Sequence, residues 1–189
     1  NGSSMSAVKN GKCIDTSMGL TPLAGVLMGT RCGDIDPAIV PFLMEKKNLS
    51  AEEIDKIMNK DSGVAGISGV SSDFRDLNKA REEGNERAAL ALKMFQYQVL
   101  KYIGAYAAAM GGIDAIAFTA GIGENTPYIR KGILDRLAFL GLEVDDEANE
   151  KGGDEVVITT ENSKVQALVI ATNEELAIAL DTAEIVENL

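Results

Sequence analysis

Hydrophobic and polar positions fall into short alternating runs at the start of the chain and into helical spacing after it. Ser4 to Lys9 and Lys12 to Ser17 flank Asn10-Gly11. Asn-Gly between two such runs predicts a β-hairpin, because a type I′ turn needs positive φ at both central residues. Met18 to Asp36 carries Gly19, Pro22, Gly25, Gly29 and Gly33 and reads as irregular or briefly helical. A helix is predicted from Pro37 to about Lys47, and a second from the capping box Ser50-Ala-Glu-Glu53 to about Lys60. Asp61 to Ser72, with glycine at 63, 66 and 69, reads as a Gly/Ser-rich loop, and the charged stretch Asp73 to Glu83 as a surface helix. Asn85 caps a long helix, Glu86–Met110, which Gly111-Gly112 ends. The last turns of that helix are small (Gly104, Ala105, Ala107, Ala108, Ala109) and suit close packing against a partner.

Two strand-to-helix units follow. Ala115–Thr119 predicts a strand, Gly121-Ile-Gly123 a tight turn, and a helix starts near Glu124. Val165–Ala171 predicts a buried strand and Glu174 to about Val186 the last helix, with Thr172-Asn-Glu-Glu175 as its capping box. Hairpin, then helices, then two β-to-α units predict an α/β fold with a mixed sheet flanked by helices. At 189 residues, a single domain over 1–189 is expected.

Composition narrows the function. No uncharged apolar run approaches the roughly 18 residues of a membrane span; Ala88 to Met110 is broken by Lys93, Gln96, Gln98 and Lys101. A net charge of −11 argues against a nucleic-acid surface but not against a nucleotide, whose phosphates sense local charge. The chain has no histidine, which removes His bases, His metal ligands and Ser-His-Asp triads. Cys13 and Cys32 lack metal-ligand spacing, and a reduced cytoplasmic protein is the default expectation. Opening on Asn-Gly-Ser-Ser at the edge of a strand pattern, the chain reads as a fragment.

Several segments can carry chemistry, each beside a plainer reading. Asn1-Gly2-Ser3-Ser4, Gly63 to Ser72 and Gly121 to Asn125 are glycine-containing turns that either admit phosphate oxygens or merely turn the chain. Arg31, between glycines, either clamps an anion or pairs with Asp34 or Asp36. Glu174 either holds Mg²⁺ or, with Glu175, complements the helix dipole. Asp73-Phe74-Arg75 either holds a base and ribose or supplies a cap and a core ring.

Taken together, these segments resemble the acetate kinase family. The resemblance rests on Asn1-Gly2-Ser3-Ser4, preceded in the family by His-Leu-Gly, and on Asp15-Thr-Ser-Met-Gly-Leu-Thr-Pro22 running into Met28-Gly-Thr-Arg-Cys-Gly-Asp-Ile-Asp-Pro37. Ser68 to Asp76, Phe118 to Asn125 and Ala171 to Glu175 follow in the family's order. The resemblance implies an actin-like ATPase (ribonuclease H-like) fold, one lobe of a two-lobe kinase that closes around ATP. It implies reversible transfer of the ATP γ-phosphoryl group to acetate, giving acetyl phosphate and ADP, with Mg²⁺. Arg31 then matches the arginine that stabilises the transferring group and Glu174 the acid associated with Mg²⁺. Asn1 and Gly2 match part of the phosphate cradle. Asp73, Phe74 and Arg75, with Gly121, Ile122, Gly123, Glu124 and Asn125, match the adenosine pocket. A homodimer through this half is also implied. The family's N-terminal half, which supplies an arginine, an aspartate, histidines, a metal-associated asparagine and much of the carboxylate pocket, has no counterpart here. Nucleotide binding without turnover is therefore expected. Propionate and butyrate kinases share much of this motif set, and a non-catalytic binding or assembly module is the reading from another class. Ala120 stands where the family often has glycine, and Cys32 where it often has serine.

Overall fold

The computed structural model describes residues 2–188 and divides at Ile113/Asp114 into two compact units.

The first unit opens with the antiparallel hairpin β1 (Ser6–Lys9) and β2 (Lys12–Thr16), whose register shifts between Ala7 and Val8. Asn10 and Gly11 have φ of 54° and 74°, the positive values that a type I′ turn demands. Lys9 Nζ donates to the Met110 carbonyl at 2.6 Å, tying the hairpin to the C-terminal end of the long helix. Helices α1 (Ile39–Lys47) and α2 (Ala51–Lys60) follow the irregular segment. The α2 box forms as predicted: Glu53 N donates to Ser50 Oγ, and Ser50 N donates to Glu53 Oε2 at 2.8 Å.

The expected loop at 61–72 is instead built around a short helix, α3 (Gly63–Ser68). Its first free amides are satisfied from outside: Val64 N donates to Met28 O at 2.8 Å and Ala65 N to Gly29 O at 3.0 Å. Arg87 serves the other end, its guanidinium donating to the Ile67 and Gly66 carbonyls. Partners this distant in sequence leave no local pattern. Helix α4 (Phe74–Glu82) is less of a surface helix than expected, since Phe74 and Leu77 are buried. Phe74 meets Phe95 edge-on, centroids 4.8 Å apart. Helix α5 (Glu86–Met110) has the predicted ends, and Ala88, Ala91, Leu92, Phe95, Val99, Ile103 and Tyr106 form its buried stripe at helical spacing.

The second unit is a mixed sheet with helices. Strands β3 (Ala115–Phe118) and β5 (Gln166–Val169) run parallel, and the two-residue β4 (Val156–Val157), absent from the sequence reading, pairs antiparallel with β5. Gly121-Ile-Gly123, expected as a turn, lies inside helix α6 (Ala120–Asn125). Helix α7 (Pro127–Leu134), a 3₁₀ stretch (Asp135–Leu140) and α8 (Asp146–Lys151) complete the layer, with Ile129, Ile133, Leu137, Ile158 and Val169 buried. The last helix, α9 (Glu174–Glu187), is capped by Asn173, whose Oδ1 accepts from Leu176 N, rather than by Thr172. The expected second capping box therefore does not form; the Thr172 hydroxyl instead accepts from Ala120 N. Among the described residues no helix is long and apolar enough to cross a membrane.

Gly63 is the tightest joint of the first unit. Its φ is +65°, and a Cβ there would stand 2.4 Å from Met28 O. Gly63→Ala is expected to lower stability by roughly 2 kcal/mol or more, from left-handed strain plus displacement of the α3 N-terminal bonds. Urea unfolding of the two chains side by side measures it.

Candidate functional site

In the first unit the candidate site is built on the loop that carries Arg31. Asp34 closes this loop: its N donates to Gly25 O at 2.8 Å, and its Oδ1 accepts from Gly25 N at 2.8 Å. Met28 N donates to Arg31 O at 3.2 Å, and Cys32 N to Met58 O at 2.9 Å. The side chains that could have neutralised Arg31 are engaged elsewhere. Asp34 Oδ2 accepts from the Tyr102 hydroxyl and Asp36 Oδ1 from Ala38 N. Among the described residues no ion pair joins Arg31 to either acid. Its Nη1 donates to Pro22 O at 3.2 Å and contacts Met28 Sδ, which leaves Nε and Nη2 without a protein partner among the described residues. Gly2 is beside it: a Cβ on Gly2 would lie 3.3 Å from Arg31 Nη1. The glycine of the expected phosphate cradle and the expected phosphoryl-facing arginine are thus neighbours. Asn1 lies outside the described residues. Burial pushes the Cys32 thiol up, away from a reactive thiolate.

Asp73, Phe74 and Arg75 satisfy the plainer reading in full. Asp73 Oδ1 accepts from Arg75 N as the α4 cap, and its carboxylate pairs with Arg75 Nη2 at 2.6 Å. The side-chain bonds from Arg75, then its backbone bond, hold the Asp73 carboxyl down to about 2. The Phe74 ring is in the core, so the trio offers a surface ion pair and not an exposed ring.

In the second unit the site segments meet at one edge of the sheet. Gly121 to Asn125 follows β3, and Thr172 to Glu174 follows the adjacent parallel strand β5. The edge at the carboxyl ends of parallel strands is where open α/β sheets bind ligands. Two bonds of 3.0 Å lace these segments together, Ala120 N to Thr172 Oγ1 and Thr172 N to Glu124 Oε1. Asn125 Nδ2 donates to Gly121 O within the segment. Ala120, with φ of 56°, occupies a left-handed conformation that disfavours an L side chain by about 1 kcal/mol. The cost at this position comes from the backbone conformation itself. Glu174 is the first residue of α9 and exposed. Among the described residues no three acidic, Cys or His groups cluster as a metal cage. A lone carboxylate still fits Mg²⁺ bound mainly by phosphates and water, which needs only one or two protein carboxylates.

Arg130 is the residue that the sequence reading missed. It is 1% exposed, and its guanidinium donates to Gly123 O, Glu124 O, Asn149 O and Asn149 Oδ1 at 2.6–2.9 Å. It therefore holds the end of α6 against α8. Desolvation pushes its pKa down, and the nearby Glu150 charge offsets part of that push. Between Ile129 and Lys131, an arginine looks like one more solvated helix position.

The sequence profile of the Acetokinase family matches residues 1–180. The chain belongs to the acetokinase family. The acetate kinase of Clostridium novyi is 65% identical over 187 residues, taking in 99% of this chain and 47% of that protein. The crystal structure of Porphyromonas gingivalis acetate kinase matches with a TM-score of 0.95 at 49% identity, over 98% of this chain and 47% of that one. A propionate kinase from Francisella tularensis matches with a TM-score of 0.89 at 45% identity, over 95% of this chain and 46% of that one. This acetokinase chain spans about half the length of the curated relatives it matches. It has the α/β, actin-like ATPase fold with a mixed sheet that the resemblance implied.

Arg130→Met keeps much of the bulk and removes every donor. Leaving these carbonyls unpaired is expected to lower stability by roughly 3 kcal/mol or more, read from urea unfolding. A loss under about 1 kcal/mol would show that water replaces the guanidinium.

Proposed function

We propose that this chain is the nucleotide-binding C-terminal part of an acetate kinase, which reversibly moves the γ-phosphoryl group of ATP to acetate, giving acetyl phosphate and ADP. The observation that carries the reading is the Arg31 guanidinium. It lies beside Gly2, without a carboxylate partner among the described residues, and has donors left for an anion. An acetate oxygen attacks the γ-phosphorus in line, the bond to the ADP oxygen breaks, and the electron pair leaves with ADP. Acetate is already ionised at neutral pH, so the step needs no general base, and a chain without histidine is suited to it. Arg31 neutralises the charge on the equatorial oxygens, which is where such a reaction needs the protein most. Gly2 would line the phosphates, with Asn1, outside the described residues, assigned beside it by the family resemblance. In the first unit the surface pair Asp73 and Arg75, backed by Phe74 from the core, and in the second unit Gly121 to Asn125 are each assigned to the adenosine by the same resemblance. Glu174 would hold Mg²⁺, which supplies Lewis-acid neutralisation of the phosphate oxygens.

The carboxylate-binding residues lie, in this reading, in the other half of the enzyme. The similarity to a propionate kinase supports a longer acyl acceptor as the second reading. The exposed side of α5, where Leu90, Met94 and Tyr97 run on to Gly104 and Ala108, supports a homodimer through this part. Two free cysteines accord with a cytoplasmic enzyme.

Calorimetric titration of this chain with ADP and ATP, with and without Mg²⁺, is expected to give one saturable site and no acetyl phosphate production. A folded sample that binds neither nucleotide would refute the pre-formed site. In the full-length enzyme Arg31→Ala is expected to lower kcat by about 10³-fold or more. An unchanged kcat would remove Arg31 from the phosphoryl group.

A further inference from the structure

The loop that carries Arg31 is fastened to one face of α5 by two side chains a single turn apart. Gln98 Oε1 accepts a hydrogen bond from Leu27 N. The Tyr102 hydroxyl donates to Asp34 Oδ2 at 2.5 Å. The two anchors grip the loop on either side of Arg31, and Asp34 passes the restraint on through its paired bonds to Gly25. Among the described residues the guanidinium itself is held only by Pro22 O and Met28 Sδ, both soft restraints. Its position therefore depends on where the loop backbone is set. Helix α5 is a firm base for that purpose, since Phe95, Val99, Ile103 and Tyr106 fix it in the core beside the two anchors. Neither anchor is fully buried. Burial, and then the bond to Asp34, push the Tyr102 hydroxyl up and keep it a proton donor.

We infer that Gln98 and Tyr102 are positioning residues for phosphoryl transfer, setting the Arg31 loop from α5 through Leu27 and Asp34. The inference rests on the phosphotransferase reading of Arg31. An electrostatic clamp displaced by about 1 Å can lose on the order of 10²-fold in rate, so modest loosening of the loop is visible in turnover. Nucleotide affinity, which draws on several other segments, should respond much less.

The test is steady-state kinetics on the full-length enzyme. Tyr102→Phe and Gln98→Met are each expected to lower kcat about tenfold or more, with KM for ATP changed less than about threefold. Gln98→Glu keeps an acceptor for Leu27 N and is expected to recover most of that loss. In an Arg31→Ala background the further effect of Tyr102→Phe should vanish, because nothing is left to position. Lys101→Ala is the control: Lys101 lines the same cavity of about 200 Å³ as Gln98, Tyr102 and Asp34. It makes no hydrogen bond to the loop among the described residues, and its removal should leave kcat unchanged. Near-normal kcat for Tyr102→Phe and Gln98→Met, or equal losses with and without Arg31, would overturn the positioning role while Arg31→Ala is still impaired. Normal turnover by Arg31→Ala would instead overturn the reading beneath it, and the positioning role with it. Far-UV circular dichroism on every variant separates both results from misfolding.

Discussion

A backbone amide or carbonyl taken out of water must find a partner, and outside helices and strands the partner must come from far along the chain. This constraint shapes both candidate site regions. The Arg31 loop has its amides met by Asp34 and Gln98, and the start of α3 by carbonyls at Met28 and Gly29. In the second unit, Thr172 and Glu124 meet the backbone between the strand ends, and Arg130 meets the carbonyls at the end of α6. Each of these side chains organises loop backbone or a helix end, and the family motifs lie along those segments.

The two buried or half-buried cationic arrangements show how differently one residue type is used. Arg130 bonds carbonyl oxygens and the Asn149 side chain through all three guanidinium nitrogens, so it is mortar for the α6–α8 junction. Arg31 has weak partners and open donors, so its charge is available to an anion. The distinction lies in hydrogen-bond satisfaction, which neither the glycines around Arg31 nor the helical setting of Arg130 reveals.

Features decided within a few residues were legible in the sequence. Asn10-Gly11, the Ser50–Glu53 box, Asn85 and Gly111 set their elements through local φ values and caps, and the observed ends agree. Features decided across the chain were not. Helix α3 needs Met28 and Gly29, α6 starts where Thr172 holds Ala120, and β4 exists only by pairing with β5. Thr172 has the box spacing to Glu175 and Asn173 does not, yet Asn173 caps α9 while the Thr172 hydroxyl is taken by Ala120 N. The site was legible as a set of motifs through family resemblance. The residues that hold those motifs in place, Gln98, Tyr102 and Arg130, carry no signature because nothing in their neighbourhood along the chain needs them.

Helix α9 is exposed at every position from Glu174 to Glu187, although Leu176, Ile178, Leu180, Ile185 and Val186 are all apolar. A helix of 14 residues without a packed face is close to the coil transition in water, sustained by the Asn173 cap and its own ladder. Amide hydrogen exchange should therefore be slow through β5 and fast from the first turn of α9 onward. The Glu174 carboxylate sits at that boundary, with the end of β5 behind it and a helix with no buried side chain ahead.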